Sequence, residues 1–242
     1  MASMFDQEYY HIAQLGMDYI FPSPRNASDE GLLAFGGDLS PNRLLTAYRK
    51  GIFPWYAEGD PILWWSPAPR LLLYSGKFKT RKSFARVLRS GKFQVTFDRC
   101  FSEVIRQCAH VPREGQGGTW LNPEMQEAYT QLHSQGFAHS VEIWQEEKLV
   151  GGLYGIALGG AFFGESMFSL VSDASKIAFR ALSDVLGGRG YDFIDCQMKT
   201  DHLVRMGAVE VDRESYLDQL ERTLTKPSDV GNWHAFNWKY EE

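Results

Sequence analysis

The most regular apolar pattern lies in the second half of the chain. Residues 149–158 and 161–168 are two mostly apolar segments separated by Gly159 and Gly160. Two such segments joined by two glycines predict a β-hairpin with a two-residue turn. Further apolar segments predict strands at residues 139–145 and 191–198. The second half of the chain is therefore predicted to contain a β-sheet.

Helices are predicted where a polar residue precedes a proline and a glycine closes the segment. Ser40 and Asn122 are each followed by proline, and Gly51 and Gly136 end the two segments. A side-chain cap, a first-turn proline and a C-terminal glycine are typical of helix boundaries. The apolar positions of these helices are Leu44, Leu45 and Tyr48 in the first and Met125, Tyr129 and Leu132 in the second.

The last part of the chain alternates between strands and helices. After the hairpin, the predicted elements are a helix from Ser172 or Asp173 to about residue 186, the strand at 191–198, a helix from Thr200 or Asp201 toward residue 206, and a strand at 208–211. This order is typical of a mixed α/β domain. The first 120 residues are richer in turns and tryptophan, so the character of the chain changes near residue 120.

Composition places the chain among ordinary globular proteins. Its 242 residues are 44% hydrophobic and 23% charged, which excludes a disordered chain. The longest apolar run, residues 149–163, contains five glycines and is shorter than the roughly 20 residues that cross a bilayer. The N-terminal segment lacks a basic stretch followed by an apolar one, so we expect a cytoplasmic protein without a membrane span.

Metal and nucleotide motifs are not found. The three cysteines, Cys100, Cys108 and Cys196, match neither a zinc site nor a disulfide framework, and we expect reduced thiols. The six histidines form no HExxH motif, so no metal is predicted. The glycines form neither GxGxxG nor GxxxxGK[ST], which gives no support for a dinucleotide or phosphate loop.

A basic segment stands out in a chain with a net charge of −5. Residues 77–92 contain seven basic side chains and no acidic one: Lys77, Lys79, Arg81, Lys82, Arg86, Arg89 and Lys92. A local basic face on an acidic protein favours selective contact with nucleic acid. The alternative, a solvated helix face, remains open.

Carboxylates within apolar strands indicate a polar site. A period of two places Asp195 beside Gln197, and places Glu165 with Phe163 and Met167. A carboxylate in an apolar strand is unfavourable unless it is hydrogen-bonded or lines a wet cleft. The alternatives are that Glu165 caps an amide or pairs with an arginine and that Asp195 anchors a loop. Glycoside hydrolysis by a carboxylate pair is less favoured. That mechanism is recognised by the distance between the two carboxyl groups, which the sequence does not give.

Four tryptophans are candidates for stacking on a nucleobase: Trp55, Trp64, Trp65 and Trp120. Recognition of single-stranded nucleic acid uses aromatic side chains in this way, since every base has a π-face. The alternative for each of them is a position in the hydrophobic core.

Six strings occur in an order that resembles a known family, the leucyl/phenylalanyl-tRNA-protein transferases. They are GLLAFGGDLSPNRLLTAYRKGIFPW, PILWWSPAPR, the Gly118-Thr119-Trp120 turn, LVGGLYGIALGGAFFGESMFS, DASK and IDCQ. The resemblance runs from about residue 21 to residue 220. It implies an α/β protein (an α+β mixed sheet), with a small N-terminal domain followed by a domain like the GCN5-related N-acetyltransferases. We expect these domains at residues 1–70 and 71–242.

The resemblance also implies a reaction. Leucine, phenylalanine and, less often, methionine are moved from aminoacyl-tRNA to proteins that begin with Arg or Lys, which marks those proteins for degradation. No cofactor is needed, because the aminoacyl ester already carries the energy. Attack by the acceptor amine then needs orientation, removal of a proton and stabilisation of the developing oxyanion.

Site residues follow from the resemblance by position. Asp195 and Gln197 in IDCQ would orient and polarise the incoming amine. Glu165 would help to hold that amine or the 3′ adenosine, which Trp55 and Trp120 would contact. Which of the polar groups accepts a proton remains open. On this basis, Asp195→Ala is expected to abolish transfer and leave the fold intact.

The resemblance assigns two further groups of residues. Leu153, Phe162 and Met167 would line the apolar pocket for the aminoacyl side chain. Lys82 and Arg86 in the basic segment would hold acceptor-stem phosphates. The tail after residue 226 matches nothing that we can assign.

Two alternative functions remain open at this point. An acyl-CoA-dependent N-acetyltransferase lacks support, because the expected Gln/Arg-x-x-Gly-x-Gly/Ala turn is absent and DASK stands in its place. A non-catalytic binder of basic protein N-termini or tRNA ends would use Glu165 and Asp195 without turnover. The retention of Gln197 is weak support for catalysis.

Overall fold

The computed structural model describes residues 12–110 and 121–240. A first, small sheet contains four strands: β1 (Ala13–Leu15), β2 (Leu32–Gly36), β3 (Phe53–Pro54) and β4 (Leu63–Trp65). Their order across the sheet is β1-β2-β4-β3. β1 runs parallel to β2, and the other neighbours are antiparallel.

A second sheet has seven strands within the described residues. They are β5 (Arg70–Tyr74), β6 (Gln94–Phe97), β7 (Ala138–Gln145), β8 (Lys148–Leu158), β9 (Ala161–Ser169), β10 (Phe193–Asp195) and β11 (Val209–Val211). Their order is β11-β5-β10-β9-β8-β7-β6, and only β9 and β10 are parallel. The predicted hairpin is β8 and β9, and it lies next to the parallel pair.

Seven α-helices occur in the described part of the chain: α1 (Pro41–Arg49), α2 (Lys82–Arg89), α3 (Phe101–His110), α4 (Pro123–Ser134), α5 (Ala174–Gly188), α6 (Asp201–Arg205) and α7 (Arg213–Thr223). The Asn122 side chain caps α4 by accepting from the Met125 N–H at 2.9 Å. Thr200 caps α6 in the same way. α5 connects β9 to β10, as a parallel pair requires a crossover.

Two hydrophobic clusters cover the two faces of the large sheet. One contains the small sheet, α1 and residues of α3 and α4, so the N-terminal part packs directly on the large sheet. The other contains residues of α2 and α5 on the opposite face. The predicted mixed α/β class is therefore confirmed. We propose that the domain division expected at residue 70 lies between β4 and β5.

The C-terminal tail packs against the second cluster. Trp233 is buried, stacks on the His139 ring with centroids 3.7 Å apart, and donates its backbone N–H to Asp98 at 2.8 Å. The sequence offered no assignment for this segment because its partners are distant in the chain: Asp98 lies 135 residues before Trp233.

Among the described helices, none is long and apolar enough to span a membrane. Within residues 12–110 and 121–240, no group of three or more His, Cys, Asp or Glu side chains is placed to hold a metal ion. None of Cys100, Cys108 and Cys196 forms a disulfide within the described part of the chain.

Candidate active site

A cavity of about 430 Å³ is lined by residues of both the small sheet and the large one. Phe53 and Trp55 line it from the N-terminal side, and β8, β9, α5 and the segment after β10 form the rest. Its apolar wall includes Leu153, Phe162, Met167, Phe179, Leu182 and Leu203. The polar residues that reach the cavity are Glu165, Ser166, Gln197, Thr200 and His202.

A β-bulge places Glu165 on this cavity. Tyr154 pairs with Ser166 across β8 and β9, but the next residue, Gly155, pairs with Gly164, so Glu165 has no partner on β8. An extra residue of this kind bends the strand and redirects a side chain. Gly155 permits the close approach, because a Cβ there would lie 2.2 Å from the carbonyl oxygen of Phe163.

The bulge contradicts the predicted alternation along β9. Phe163 packs against Tyr48 at a centroid distance of 5.3 Å in the cluster shared with the small sheet. Met167 packs in the other cluster with Phe162 and Leu153. The prediction that Phe163 and Met167 share a face was wrong, because the extra residue reverses the alternation. The same reversal brings the three pocket candidates, Leu153, Phe162 and Met167, together on the cavity wall.

Glu165 accepts hydrogen bonds on both carboxylate oxygens. The Tyr129 hydroxyl donates to Oε2 at 2.9 Å, and the Gln197 side-chain amide donates to Oε1 at 2.9 Å. Burial raises the pKa of Glu165 to about 7, while hydrogen bonding from Tyr48 and Tyr129 opposes that rise. This carboxyl group therefore changes its charge near neutral pH.

β10 ends at Asp195, earlier than the predicted end at residue 198. Gln197 has φ 62°, in the left-handed region, which turns the chain out of the strand. Its N–H donates to Asp195 Oδ1 at 2.8 Å. The side chain of Gln197 thereby reaches Glu165 on the neighbouring strand. The strands that carry the two carboxylates, Glu165 and Asp195, are neighbours, as the sequence suggested. Glu165 borders the cavity together with Gln197, which reaches it from a turn, whereas Asp195 does not line the cavity.

Asp195 lies beneath the site and does not line the cavity. It is fully buried and forms an ion pair with Arg70, whose Nε lies 2.9 Å from Oδ1 and 3.1 Å from Oδ2. The Tyr216 hydroxyl donates to Oδ2 at 2.7 Å. Together with the Gln197 N–H, these donors occupy both oxygens. Asp195 therefore fixes the turn that carries Gln197.

The tryptophan candidates have different surroundings. Trp55 is half-buried on the cavity, and the Trp65 indole N–H donates to its carbonyl oxygen at 2.6 Å. Trp64 is fully buried, as expected of a core residue. Trp120 lies outside the described residues.

The seven basic side chains of residues 77–92 form an exposed surface, here called the basic surface. Lys82 and Arg86 lie on α2, which is anchored by the buried Phe84. Six of these side chains form no ion pair with any other described residue: Lys77, Lys79, Arg81, Lys82, Arg86 and Lys92. None of them lines the cavity. The basic surface is thus separate from the polar site.

The family model for the leucyl/phenylalanyl-tRNA protein transferase matches residues 72–221, and the model for the N-terminal domain of that transferase matches residues 37–68. The chain belongs to this family. The chain thus matches both models of this family, one for the N-terminal domain and one for the transferase itself, and the expected order of a small N-terminal part before the larger one is confirmed.

Curated members of the transferase family are similar over most of the chain. The protein from Nitratidesulfovibrio vulgaris strain DP4 is 54% identical over 214 residues, which is 88% of this chain and 92% of the relative. That from Anaeromyxobacter sp. strain Fw109-5 is 53% identical over 222 residues, 92% of this chain and 94% of the relative. That from Myxococcus xanthus strain DK1622 is 51% identical over 214 residues, with coverages of 88% and 92%. All three are named leucyl/phenylalanyl-tRNA–protein transferase, and the expectation of an aminoacyltransferase is confirmed.

Four residues of this transferase site were not among the candidates from sequence: Tyr48, Tyr129, Arg70 and Tyr216. The two helical tyrosines were expected to be apolar core positions, and both are buried. Arg70 had a weak signal, a charged residue that opens the apolar strand β5. The roles of all four depend on contacts between distant segments, which a local pattern does not contain.

Proposed function

We propose that this chain transfers leucine, phenylalanine and, less often, methionine from aminoacyl-tRNA to the α-amine of proteins that begin with Arg or Lys. The product has a new peptide bond and a destabilising N-terminus that marks it for degradation in the cytoplasm. Membership of the transferase family supports this proposal. The observation that carries it is an apolar cavity with Glu165 and Gln197 at its polar side.

The cavity suits an apolar aminoacyl side chain. Leu153, Phe162 and Met167 line it in a volume of about 430 Å³, which is sufficient for a phenylalanyl group. Apolar shape alone discriminates weakly between side chains of similar size, by roughly 10–200-fold per methylene. Such a cavity accounts for acceptance of Leu, Phe and Met together.

The polar groups suit the aminolysis of an ester. Gln197 and Glu165 would hold the acceptor amine close to the ester carbonyl, and orientation of this kind supplies much of the rate. Asp195 would act by holding Gln197. Trp55 and Trp120 would contact the terminal adenosine, and Lys82 and Arg86 the tRNA phosphates. No cofactor is required, because the ester bond supplies the energy.

The proposed function is tested by transfer of radiolabelled leucine from Leu-tRNA to a peptide that begins with Arg. An otherwise identical peptide that begins with Gly is the control. We expect label on the Arg peptide alone. No label on either peptide, with folded protein and intact Leu-tRNA, would favour a non-catalytic binder, and label on both would remove the Arg or Lys preference.

Narrowing the cavity should change the preference between aminoacyl groups. Met167→Phe adds bulk opposite Leu153, so we expect kcat/KM for Phe-tRNA to fall roughly tenfold relative to Leu-tRNA. Met17→Phe makes the same change at a position that is 94% exposed and should leave the ratio unchanged. An unchanged ratio in Met167→Phe would place the aminoacyl side chain elsewhere.

A further inference from the structure

We propose that Glu165 is the group that takes the proton from the attacking amine, and that Tyr129 and Tyr48 are positioning residues that hold its carboxylate for this step. This inference rests on the proposed transfer function. It deepens that function by naming the proton acceptor and two residues that set its properties.

The two tyrosines form a chain of hydroxyl groups that ends on Glu165. The Tyr48 and Tyr129 hydroxyls lie 2.6 Å apart, and the Tyr129 hydroxyl donates to Glu165 Oε2 at 2.9 Å. Both tyrosines are almost fully buried, at 1% and 0% exposure. Burial raises the pKa of each phenol well above its usual value, so both remain protonated donors at neutral pH.

The neighbouring polar groups are less suited to accept the proton. Asp195 is fully buried, its oxygens are occupied by Arg70, Tyr216 and the Gln197 N–H, and it does not line the cavity. The Gln197 side chain is an amide, which is a very weak base. Its NH₂ group already donates to Glu165. Glu165 is therefore the carboxylate that borders the cavity and can gain a proton.

The ionisation of Glu165 is set by groups on several elements. The phenols of Tyr48 on α1 and Tyr129 on α4 donate toward it. The charges of Asp195 on β10 and Arg70 on β5 act on it with opposite signs. His202 on α6 lines the same cavity, and Tyr154 on β8 lies beside Tyr129 with ring centroids 5.5 Å apart. Burial dominates this set and disfavours the charged form.

In the proposed reaction, Glu165 accepts one proton and then donates it, so the carboxylate is regenerated. The amine nitrogen forms a bond to the ester carbonyl carbon, and the bond from that carbon to the ribose oxygen breaks. The proton of the amine moves to the Glu165 carboxylate and then to the departing ribose oxygen, which leaves as a hydroxyl group. A base is most effective when its pKa lies near the working pH, and burial brings the pKa of Glu165 to about 7.

Removal of the tyrosine hydroxyls should change the pH dependence of transfer. A hydrogen bond to a carboxylate stabilises its charged form, so removal of the Tyr129 hydroxyl raises the pKa of Glu165. Transfer depends on the charged form and is lost as the pH falls through that pKa. In Tyr129→Phe, this acidic limb therefore moves to higher pH.

The test compares kcat/KM for Leu-tRNA and the Arg peptide across the pH range in four variants and the wild type. For Tyr129→Phe, we expect about tenfold slower transfer on the acidic limb and nearly wild-type transfer on the alkaline plateau. Tyr48→Phe should shift the limb in the same direction by less. Tyr191→Phe, at another buried tyrosine away from the cavity, should leave the profile unchanged. Glu165→Gln should slow transfer by roughly 100-fold or more and remove the limb.

Two results would overturn the inference. A Tyr129→Phe variant that is slower by the same factor at every pH would have only a structural defect. A Glu165→Gln variant that retains the wild-type limb would place the base elsewhere. The acceptor amine titrates identically in all variants, so it cannot produce a difference between them. Absence of transfer by the wild type would instead overturn the proposed function.

Discussion

Asp195→Ala is expected to lower the free energy of unfolding by about 3–5 kcal/mol, because it leaves the Arg70 guanidinium buried without its partner. Arg70 is 1% exposed and Asp195 is fully buried, so bulk water does not solvate the guanidinium that remains. In the protein that remains folded, transfer should fall by roughly 100-fold, since the Gln197 turn loses its acceptor. Urea denaturation and transfer assays on the folded variant measure the two effects.

Two control variants separate stability from positioning. Asp229→Ala removes the acid of the half-exposed pair with Arg189 and should lower the free energy of unfolding by less than about 1 kcal/mol. The double variant Arg70→Met with Asp195→Leu removes both buried charges and should recover much of the stability without recovering transfer. An Asp195→Ala variant that is as stable and active as wild type would show that the buried pair holds neither the fold nor Gln197.

This expected loss of stability revises what the sequence alone indicated for Asp195→Ala. The string IDCQ suggests two polar side chains that share one face of a strand, both open to substrate. The structure instead places Asp195 under the site and turns Gln197 into it. Arg70 is 125 positions away in the chain and pairs with Asp195 because β5 and β10 are neighbours. A local sequence pattern cannot predict an ion pair that depends on the pairing of two distant strands.

The predicted hairpin and helices depended on local signals, and these are the elements that the structure confirms. β8 and β9 coincide with the two apolar segments around Gly159 and Gly160. α4 begins directly after the predicted cap, Asn122. Turn glycines, caps and apolar periodicity act over a few residues, so the sequence expresses them directly.

The site depends on a departure from the regular pattern. The extra residue at Glu165 reverses the alternation of β9, which strict period two could not predict. The left-handed φ of Gln197 is equally unexpected, since Asn, Asp and Gly are the residues usual there. Local irregularities of this kind are common beside active sites, where they redirect a side chain. They are the features that bring Glu165 and Gln197 within 2.9 Å of each other.

The double variant Lys82→Glu with Arg86→Glu is expected to weaken the binding of Leu-tRNA by roughly tenfold or more and to flatten its dependence on salt. Both side chains are exposed on α2 and form no ion pair within the described residues, so their charge is available to phosphates. The logarithm of the affinity falls as the logarithm of the salt concentration rises. Each lost phosphate contact should make this slope less steep by about 0.7–0.9. Filter binding over a range of salt concentrations measures both quantities.

The control must separate a local contact from a change in net charge. Arg49→Glu with Lys50→Glu changes the net charge by the same four units at an exposed position at the end of α1. A general repulsion between a more acidic protein and tRNA would weaken binding equally in both double variants. A contact through the basic surface would weaken binding much more in the α2 variant and would reduce the salt slope there alone, because counterions are released only where phosphates are neutralised. Equal effects would make the α2 face a solvated surface and assign tRNA binding to another part of the protein.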